Sequence, residues 1–389
     1  MELKRPSVTQ KLIWDDQAFN RASPKYNIGG YALLQGPLRP SLYEAAIAEV
    51  LKSQEVYASV FQEVDGELRY AVQEAAAGFE LELLDFSGAP DPTAAAKAWM
   101  DQEFGVAFQL DNAHLFTFKL LKIDAQTHLW YAKIHHLIGD GWSFSLLLNA
   151  IAFHYKNLLE TGVTEARHYS YEHYIQDDTA YYQSQQATDD RAYWVQQFAG
   201  YSGLLQQQNT VSYAQKAQSH TLALPKETCA QLKATADRYG VSLFQLIIGS
   251  LLLYFGKTRQ QSTISFGMPV LNRTNKLFKQ TAGVFMNLLA VRFSLEEDAS
   301  LAELLGGVKQ KMREALRHQR YQYGNLVKDL ARPGERASLY DIRISYEEFN
   351  FTSAIGDLAS SAFALSNSYD CHAFPRKVAG AGSRVTMSN

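Results

Sequence analysis

Two apolar runs, Leu115 to Ile123 and His128 to Ile134, are rich in Phe, Leu, Trp and Tyr and flank the polar Asp124-Ala-Gln-Thr127. That arrangement restricts this part of the chain to a β-hairpin. The second strand runs straight into Lys133-Ile134-His135-His136-Leu137-Ile138-Gly139-Asp140-Gly141-Trp142-Ser143-Phe144. Beyond it, Phe144, Leu147, Leu148, Ile151 and Tyr155 recur at helical spacing, which predicts a helix over Ser143 to Leu159. Two adjacent histidines therefore stand at a strand end, ahead of a loop and a helix N-terminus. Such loops are where a rigid scaffold presents reactive groups.

Mixed helix and strand signals continue on both sides. Ser41-Leu-Tyr-Glu44 reads as a capping box opening a helix to about Lys52, and Val56 to Val64 and Leu68 to Val72 form a hairpin about Asp65-Gly66. Helices are expected within Tyr171 to Gln197, over Lys226 to Tyr239 ended by Gly240, and over Ser242 to Phe255 ended by Gly256. Thr263 to Phe266 and Tyr340 to Tyr346 read as strands, and Ser300-Leu-Ala-Glu303 is a second capping box, opening a helix to about His318. The fold class is α/β (α+β), with an N-terminal domain over 1–168 and a C-terminal one over 169–389. From Ser360 onward the chain turns small, polar and Gly-rich with no closing strand or helix pattern, so a truncated or altered C-terminal end is expected.

A length of 389 residues suits two domains, and a hydrophobic fraction of 47% supplies their cores. A net charge of −3 with no long basic block argues against nucleic acid as a partner. Cys229 and Cys371 support neither a disulfide framework nor a thiolate metal site. No signal-peptide pattern follows Met1, and the longest apolar stretch, Leu243 to Phe255, is too short to span a bilayer. A soluble, cytoplasmic protein without a membrane partner is expected.

Neighbouring side chains on a strand point to opposite faces, so His135 and His136 are poorly placed to ligate one ion together. No metal site is expected. One imidazole facing a cleft, with its neighbour anchoring the loop, competes with a reading in which both are packed in the core. An imidazole titrating near ~6.5 exchanges protons at neutral pH.

His135-His136-Leu-Ile-Gly-Asp140-Gly141 resembles the HHxxxDG signature of nonribosomal peptide synthetase condensation domains, in the chloramphenicol-acetyltransferase-like superfamily. Further resemblances follow in order: Ser7-Val-Thr-Gln10-Lys-Leu-Ile-Trp14, Tyr171-Glu-His-Tyr174, Gly283-Val-Phe-Met-Asn287 through Arg292, and His318-Gln-Arg-Tyr-Gln-Tyr-Gly324. The family's RHExLRTxF motif departs: Ser53-Gln-Glu55-Val-Tyr-Ala-Ser-Val-Phe61 keeps the acid and the phenylalanine and lacks both arginines and the histidine. A structural turn-closing role is the competing account of that motif.

The resemblance implies two acetyltransferase-like lobes in a V-shaped pseudo-dimer with the active site at their junction, and amide formation between a donor acyl thioester and an acceptor amine. His136 is then the base or the group that positions the amine, and the Gly141 N–H an oxyanion donor. His135 is its structural neighbour, and Asp140 a structural acid paired with Arg273, with Arg292 as the other choice. Asn287, Trp142, Ser143 and Tyr174 are candidates to line the channel, with packing the competing account of Trp142 and Tyr174. No permanently bound cofactor is implied. Substrates would ride on the phosphopantetheine of carrier proteins or on coenzyme A, within a larger synthetase. Trp14-Asp-Asp-Gln17 and Ser23-Pro-Lys-Tyr-Asn-Ile-Gly-Gly30 look like starter condensation domains, which N-acylate the first residue of a lipopeptide. A free-standing acyltransferase using coenzyme A and an inactive carrier-docking platform are the alternatives.

Overall fold

The computed structural model describes residues 2–73, 78–200, 219–330, 338–340, 342–347, 354–355, 357–366, 374–379 and 384–388. The chain divides into two compact units, each of them discontinuous in sequence. The first comprises Met1–Ala180, Arg273–Phe285 and Asn350–Tyr369, and the second Tyr181–Asn272, Met286–Phe349 and Asp370–Asn389.

From the N-terminus the elements are α1 (Val8–Ala18), β1 (Asn27–Gln35), α2 (Pro40–Ser53), β2 (Ser59–Val64), β3 (Glu67–Val72), β4 (Glu82–Asp85), α3 (Pro92–Phe104), β5 (Phe116–Lys122), β6 (Thr127–His135), α4 (Gly141–Thr161) and α5 (Glu172–Tyr182). Next come α6 (Gln185–Phe198), β7 (Ser219–Ala223), α7 (Lys226–Arg238), α8 (Leu243–Arg259), β8 (Thr263–Val270), β9 (Asn287–Ser294), α9 (Leu301–Arg317), α10 (Tyr323–Leu330) and β10 (Ile342–Glu347). The chain then returns to the first unit for β11 (Ala354–Ile355) and β12 (Leu358–Ala364), and to the second for β13 (Phe374–Ala379) and β14 (Arg384–Ser388).

The first unit holds a six-stranded sheet in the order β11-β12-β1-β6-β5-β4, and a separate β2-β3 hairpin. Asp65 and Gly66 turn that hairpin with φ of 52° and 76°, the left-handed pair that a tight two-residue turn needs. The expected apolar hairpin is β5-β6. Because β6 is flanked by β1 and β5, its side chains are buried from His128 to His135. The second unit holds a sheet in the order β7-β14-β13-β10-β8-β9, with β10 parallel to both β8 and β13. Its core packs Phe266, Ile264 and Val291 of that sheet against Ile248 and Leu252 of α8 and Leu304 and Val308 of α9.

Three expectations are corrected. Ser41 and Glu44 form no capping box: α2 starts at Pro40, whose fixed φ suits the first helical position, so Ser41 lies inside the first turn and Glu44 accepts a hydrogen bond from Leu81 N–H instead. Gly256 does not end α8, which continues to Arg259 and stops at the left-handed Gln260. At Gly256 a Cβ would come within 2.4 Å of Leu295 Cδ2, so the helix packs closely on that side chain there. Finally, the C-terminal stretch does not lack strands. β12 pairs with β1 from Gly30 to Gln35, and β13 and β14 complete the second sheet by backbone pairing. Pairing of this kind runs through main-chain groups, so a polar, small-residue sequence joins a sheet without announcing it.

Among the described residues, no single helix is long and apolar enough to cross a membrane.

Candidate active site

The register of β1 on β6 pairs Asn27 with His135, so Tyr26 stands opposite His136. The ladder continues one rung beyond β6, His136 N–H donating to Tyr26 C=O at 2.9 Å. Strand alternation then sends the two imidazoles to opposite sides. His135 is 2% exposed, accepts Leu137 N–H on Nδ1 at 3.1 Å and meets the edge of Phe108. Its side of the sheet is sealed where α3 ends, because Asn27 and the buried Lys133 both donate to carbonyls there, and Lys133 also pairs with Glu103. Burial, with His136 beside it, pushes the His135 imidazole down to about 3, so it is a neutral hydrogen-bond acceptor at physiological pH.

His136 is only partly buried, and its Nδ1 lies 3.1 Å from Gly139 C=O. A carbonyl can only accept, so Nδ1 carries the proton and the lone pair of the neutral ring sits on Nε2. The turn that supplies this carbonyl is tight: a Cβ on Gly139 would fall 2.8 Å from Ile134 Cδ1. The first motif holds the same turn from outside. Ser7 and Gln10 close a capping box on α1, and Gln10 Nε2 donates to Leu137 C=O at 2.9 Å.

Asp140 is the N-cap of α4, and its carboxylate is fully engaged. Oδ1 receives Ser143 N–H at 2.9 Å and Arg273 Nη2 at 3.1 Å, and Oδ2 receives Arg273 Nη1 at 2.7 Å and Phe285 N–H at 3.1 Å. The ion pair is buried, with side-chain exposures of 0% for Arg273 and 2% for Asp140. Burial alone would raise the carboxyl, but the guanidinium and the hydrogen bonds outweigh it and hold Asp140 below its ordinary value. Arg273 stacks 4.1 Å over Phe285 and donates to the carbonyls of Phe278 and Gly283. Arg292 instead donates to Gln197 C=O, within the second unit.

Ser143 does not face outward. Its hydroxyl is buried between Asp140 Oδ1 at 2.9 Å and Gly283 C=O at 2.7 Å, with one proton to serve the two, and it accepts Gly283 N–H at 3.0 Å. Gly283 has φ of 146°, and a Cβ there would strike the Tyr171 ring at 2.2 Å. Tyr174 is buried against Tyr171, Phe278 and Phe285, and Trp142 donates its indole N–H to Lys279 C=O. Asn287, in the second unit, clamps Gln319 C=O and Tyr321 C=O at 2.8 Å each. These contacts give Ser143, Tyr174 and Asn287 packing and anchoring work. Gly141, the first residue of α4, is exposed, and a Cβ on it would meet open space.

Sequence reasoning missed two residues here. Gln54 stands where the related motif has its histidine. Its amide accepts Ala282 N–H at 2.7 Å and donates to Gln280 C=O at 3.1 Å, tying the β2 entry to the segment that surrounds Arg273. Tyr26 was visible only as part of a motif, because its placement opposite His136 depends on register. Among the described residues, no group of three or more His, Cys, Asp or Glu side chains is placed to hold a metal ion.

Comparison with known proteins gives a consistent picture. The family model described as "Condensation domain" matches residues 6–371. A dimodular nonribosomal peptide synthase of Bacillus subtilis (strain 168) is 27% identical over 351 residues, covering 88% of this chain and 14% of the synthase. An isonitrile lipopeptide synthase of Streptomyces coeruleorubidus is 25% identical over 351 residues, covering 90% of this chain and 24% of that protein. The chain thus spans under a quarter of the length of these relatives. Among solved structures, a mutant starter condensation domain of rhizomide synthetase in complex with C8-CoA superposes with a TM-score of 0.89 at 25% identity, covering 99% of this chain and 89% of the other. The first condensation domain of the CDA synthetase gives a TM-score of 0.84 at 21% identity over 100% of this chain and 90% of that one, a likeness of fold.

Proposed function

The chain belongs to the condensation domain family, and from that premise we propose that it forms an amide bond between a donor acyl thioester and the amine of an aminoacyl group on a carrier protein. The observation that carries this reading is the state of His136, a partly exposed imidazole at a rigid strand end with Nδ1 committed to Gly139 C=O. Its Nε2 lone pair accepts a hydrogen bond from the attacking amine, aligning it and taking up its proton as the C–N bond forms. The tetrahedral oxyanion is met by the Gly141 N–H at the positive end of α4. Collapse breaks the C–S bond, and the proton leaves with the thiol.

Asp140 carries out no proton transfer in this scheme. Its carboxylate has no capacity left and instead fixes α4, and hence Gly141, against the Arg273 segment. The acceptor rides on the phosphopantetheine thioester of a carrier domain, and the donor acyl group on a carrier domain or on coenzyme A, in a larger cytoplasmic synthetase, a reading that the length of the relatives supports for the synthetase and the C8-CoA complex of a similar domain for the donor. Within the family, N-acylation of the first residue of a lipopeptide fits best, given the likeness to a starter domain that binds C8-CoA and to a lipopeptide synthase.

A mass-spectrometric condensation assay tests this, offering acyl thioesters on both carrier protein and coenzyme A to a carrier-bound aminoacyl acceptor. We expect product with the wild type and at least a hundredfold less with His136→Ala, roughly the contribution of a positioned acid-base group. Equal product from both proteins would overturn the assignment. Turnover of coenzyme A donors with free amines alone would favour a free-standing acyltransferase.

A further inference from the structure

We propose that Gln54 is a positioning residue for the oxyanion donor Gly141, acting through the stretch from Gln280 to Phe285. The proposal rests on the assignment of Gly141 above. Gln54, this stretch and Gly141 all belong to the first unit. The stretch lies in none of the described strands, and side chains hold its main chain instead. Gln54 Oε1 accepts Ala282 N–H at 2.7 Å, and its Nε2 donates to Gln280 C=O at 3.1 Å. Ser143 Oγ bonds both main-chain polar groups of Gly283, Tyr171 Oη donates to Val284 C=O at 2.6 Å, and Asp140 Oδ2 accepts Phe285 N–H. Asp140 caps α4 and Ser143 lies in its first turn, so these two tie Gly141 to the stretch. Gln54 and Tyr171 come from other elements and tie the stretch to the rest of the unit.

The backbone of Gln54 is itself anchored. Its N–H donates to Val50 C=O at the end of α2, and its two neighbours bond Tyr169, Glu55 through N–H and Ser53 through C=O. The two halves of the Gln54 amide do unequal work. Gln280 is exposed, so its C=O can turn to water, whereas Ala282 is 1% exposed and its N–H relies on Gln54 Oε1. A buried N–H that loses its acceptor bears the full desolvation penalty, and the main chain shifts until it finds another. Gly283 and Ser143 shift with it, and the start of α4 follows. An uncharged amide is an acceptor at every working pH. A histidine, which the related motif has at this position, is an acceptor only while neutral, because both nitrogens of an imidazolium donate. Gln54 therefore keeps its bond to Ala282 through the range in which a histidine would lose it.

The test uses the whole chain in the condensation assay, together with selective ¹⁵N-glycine labelling in which the Gly141 signal is assigned by its loss in Gly141→Ala. For Gln54→Met, at a temperature where circular dichroism shows it folded, we expect kcat to fall roughly ten- to a hundredfold with KM within about twofold, and the Gly141 signal to move. Gln54→His should restore kcat to within roughly fivefold of wild type near pH ~8, and its ratio to wild type should then drop about tenfold as the pH falls through about 6.5. The ratio isolates the new imidazole, since His136 and the groups around the clamp are common to both proteins: Glu55 beside Gln54, Tyr169 at the Gln280 side chain, and Asp140 with Arg273 beyond Gly283. A lower melting temperature with wild-type kcat, an unmoved Gly141 signal and a ratio flat in pH would overturn the proposal. If one of the two variants does not fold, the other decides, Gln54→Met by kcat and the Gly141 signal, Gln54→His by the pH ratio. Should Gly141→Pro be fully active, the oxyanion assignment falls, while the Gly141 signal in Gln54→Met still shows whether Gln54 positions that residue.

Discussion

Replacing Asp140 with alanine strips the partner from an arginine that is fully buried. In the native protein one carboxylate serves the Arg273 guanidinium, the Ser143 N–H at the start of α4 and the Phe285 N–H. Breaking one side of a buried ion pair costs about 3–5 kcal/mol, since the surviving charge keeps its desolvation penalty without its compensation. Loss of the N-cap alone is worth about 1 kcal/mol, but it acts through the same carboxylate and so is largely contained in that figure. We therefore expect Asp140→Ala to lose about 3–5 kcal/mol in urea denaturation followed by circular dichroism, with turnover falling alongside. Arg273→Met combined with Asp140→Ala removes both charges and should be more stable than Asp140→Ala alone. The pH dependence has a definite sign. Since the folded carboxyl lies below its ordinary 3.8, its contribution is complete above about pH 4 and is lost as the pH falls through the lowered value. Asp140→Ala that melts like the wild type, or a double variant as unstable as the two single losses summed, would refute this account.

His135 and Gly141 give two further tests. The imidazole of His135, lowered from 6.5 to about 3, refuses a proton that the unfolded chain accepts, so its burial weakens stability as the pH falls from about 6.5 towards 3. The slope reaches about 1.4 kcal/mol per pH unit. His135→Asn retains an acceptor for Leu137 N–H and should flatten the stability profile between about pH 6 and 4, and an unchanged slope would exclude His135 as its source. Gly141→Pro removes only a backbone N–H, at the first position of a helix where proline is favoured and after an Asp140 that is already extended. It should fold normally yet lose roughly a hundred- to a thousandfold in kcat, whereas Gly141→Ala should keep kcat, and full activity in the proline variant would remove Gly141 as the oxyanion donor.

Much of the site was legible because the relevant signals are local. The apolar alternation of β5 and β6, the helical spacing from Phe144 to Tyr155, and the Asp-Gly start of α4 each need only a short window. The split between His135 and His136 follows from strand alternation alone. The function of Ser143 was not legible, because a serine one turn into a helix looks the same whether it faces a channel or completes a buried carboxylate. Nor was the value of Gln54, whose amide replaces a motif histidine and still ties Ala282 and Gln280 in place.

What the sequence determined by itself is the local frame of the site, the β5-β6 hairpin, the start of α4 and the residues gathered between His135 and Gly141, since backbone propensity and side-chain periodicity act over a few residues. Tertiary structure chose Arg273 over Arg292 as the partner of Asp140, and it alone placed Tyr26 opposite His136 and brought the C-terminal strands into both sheets. Such choices turn on register and burial across long stretches of chain, where every main-chain hydrogen bond has the same chemistry and only the packed whole distinguishes one pairing from another.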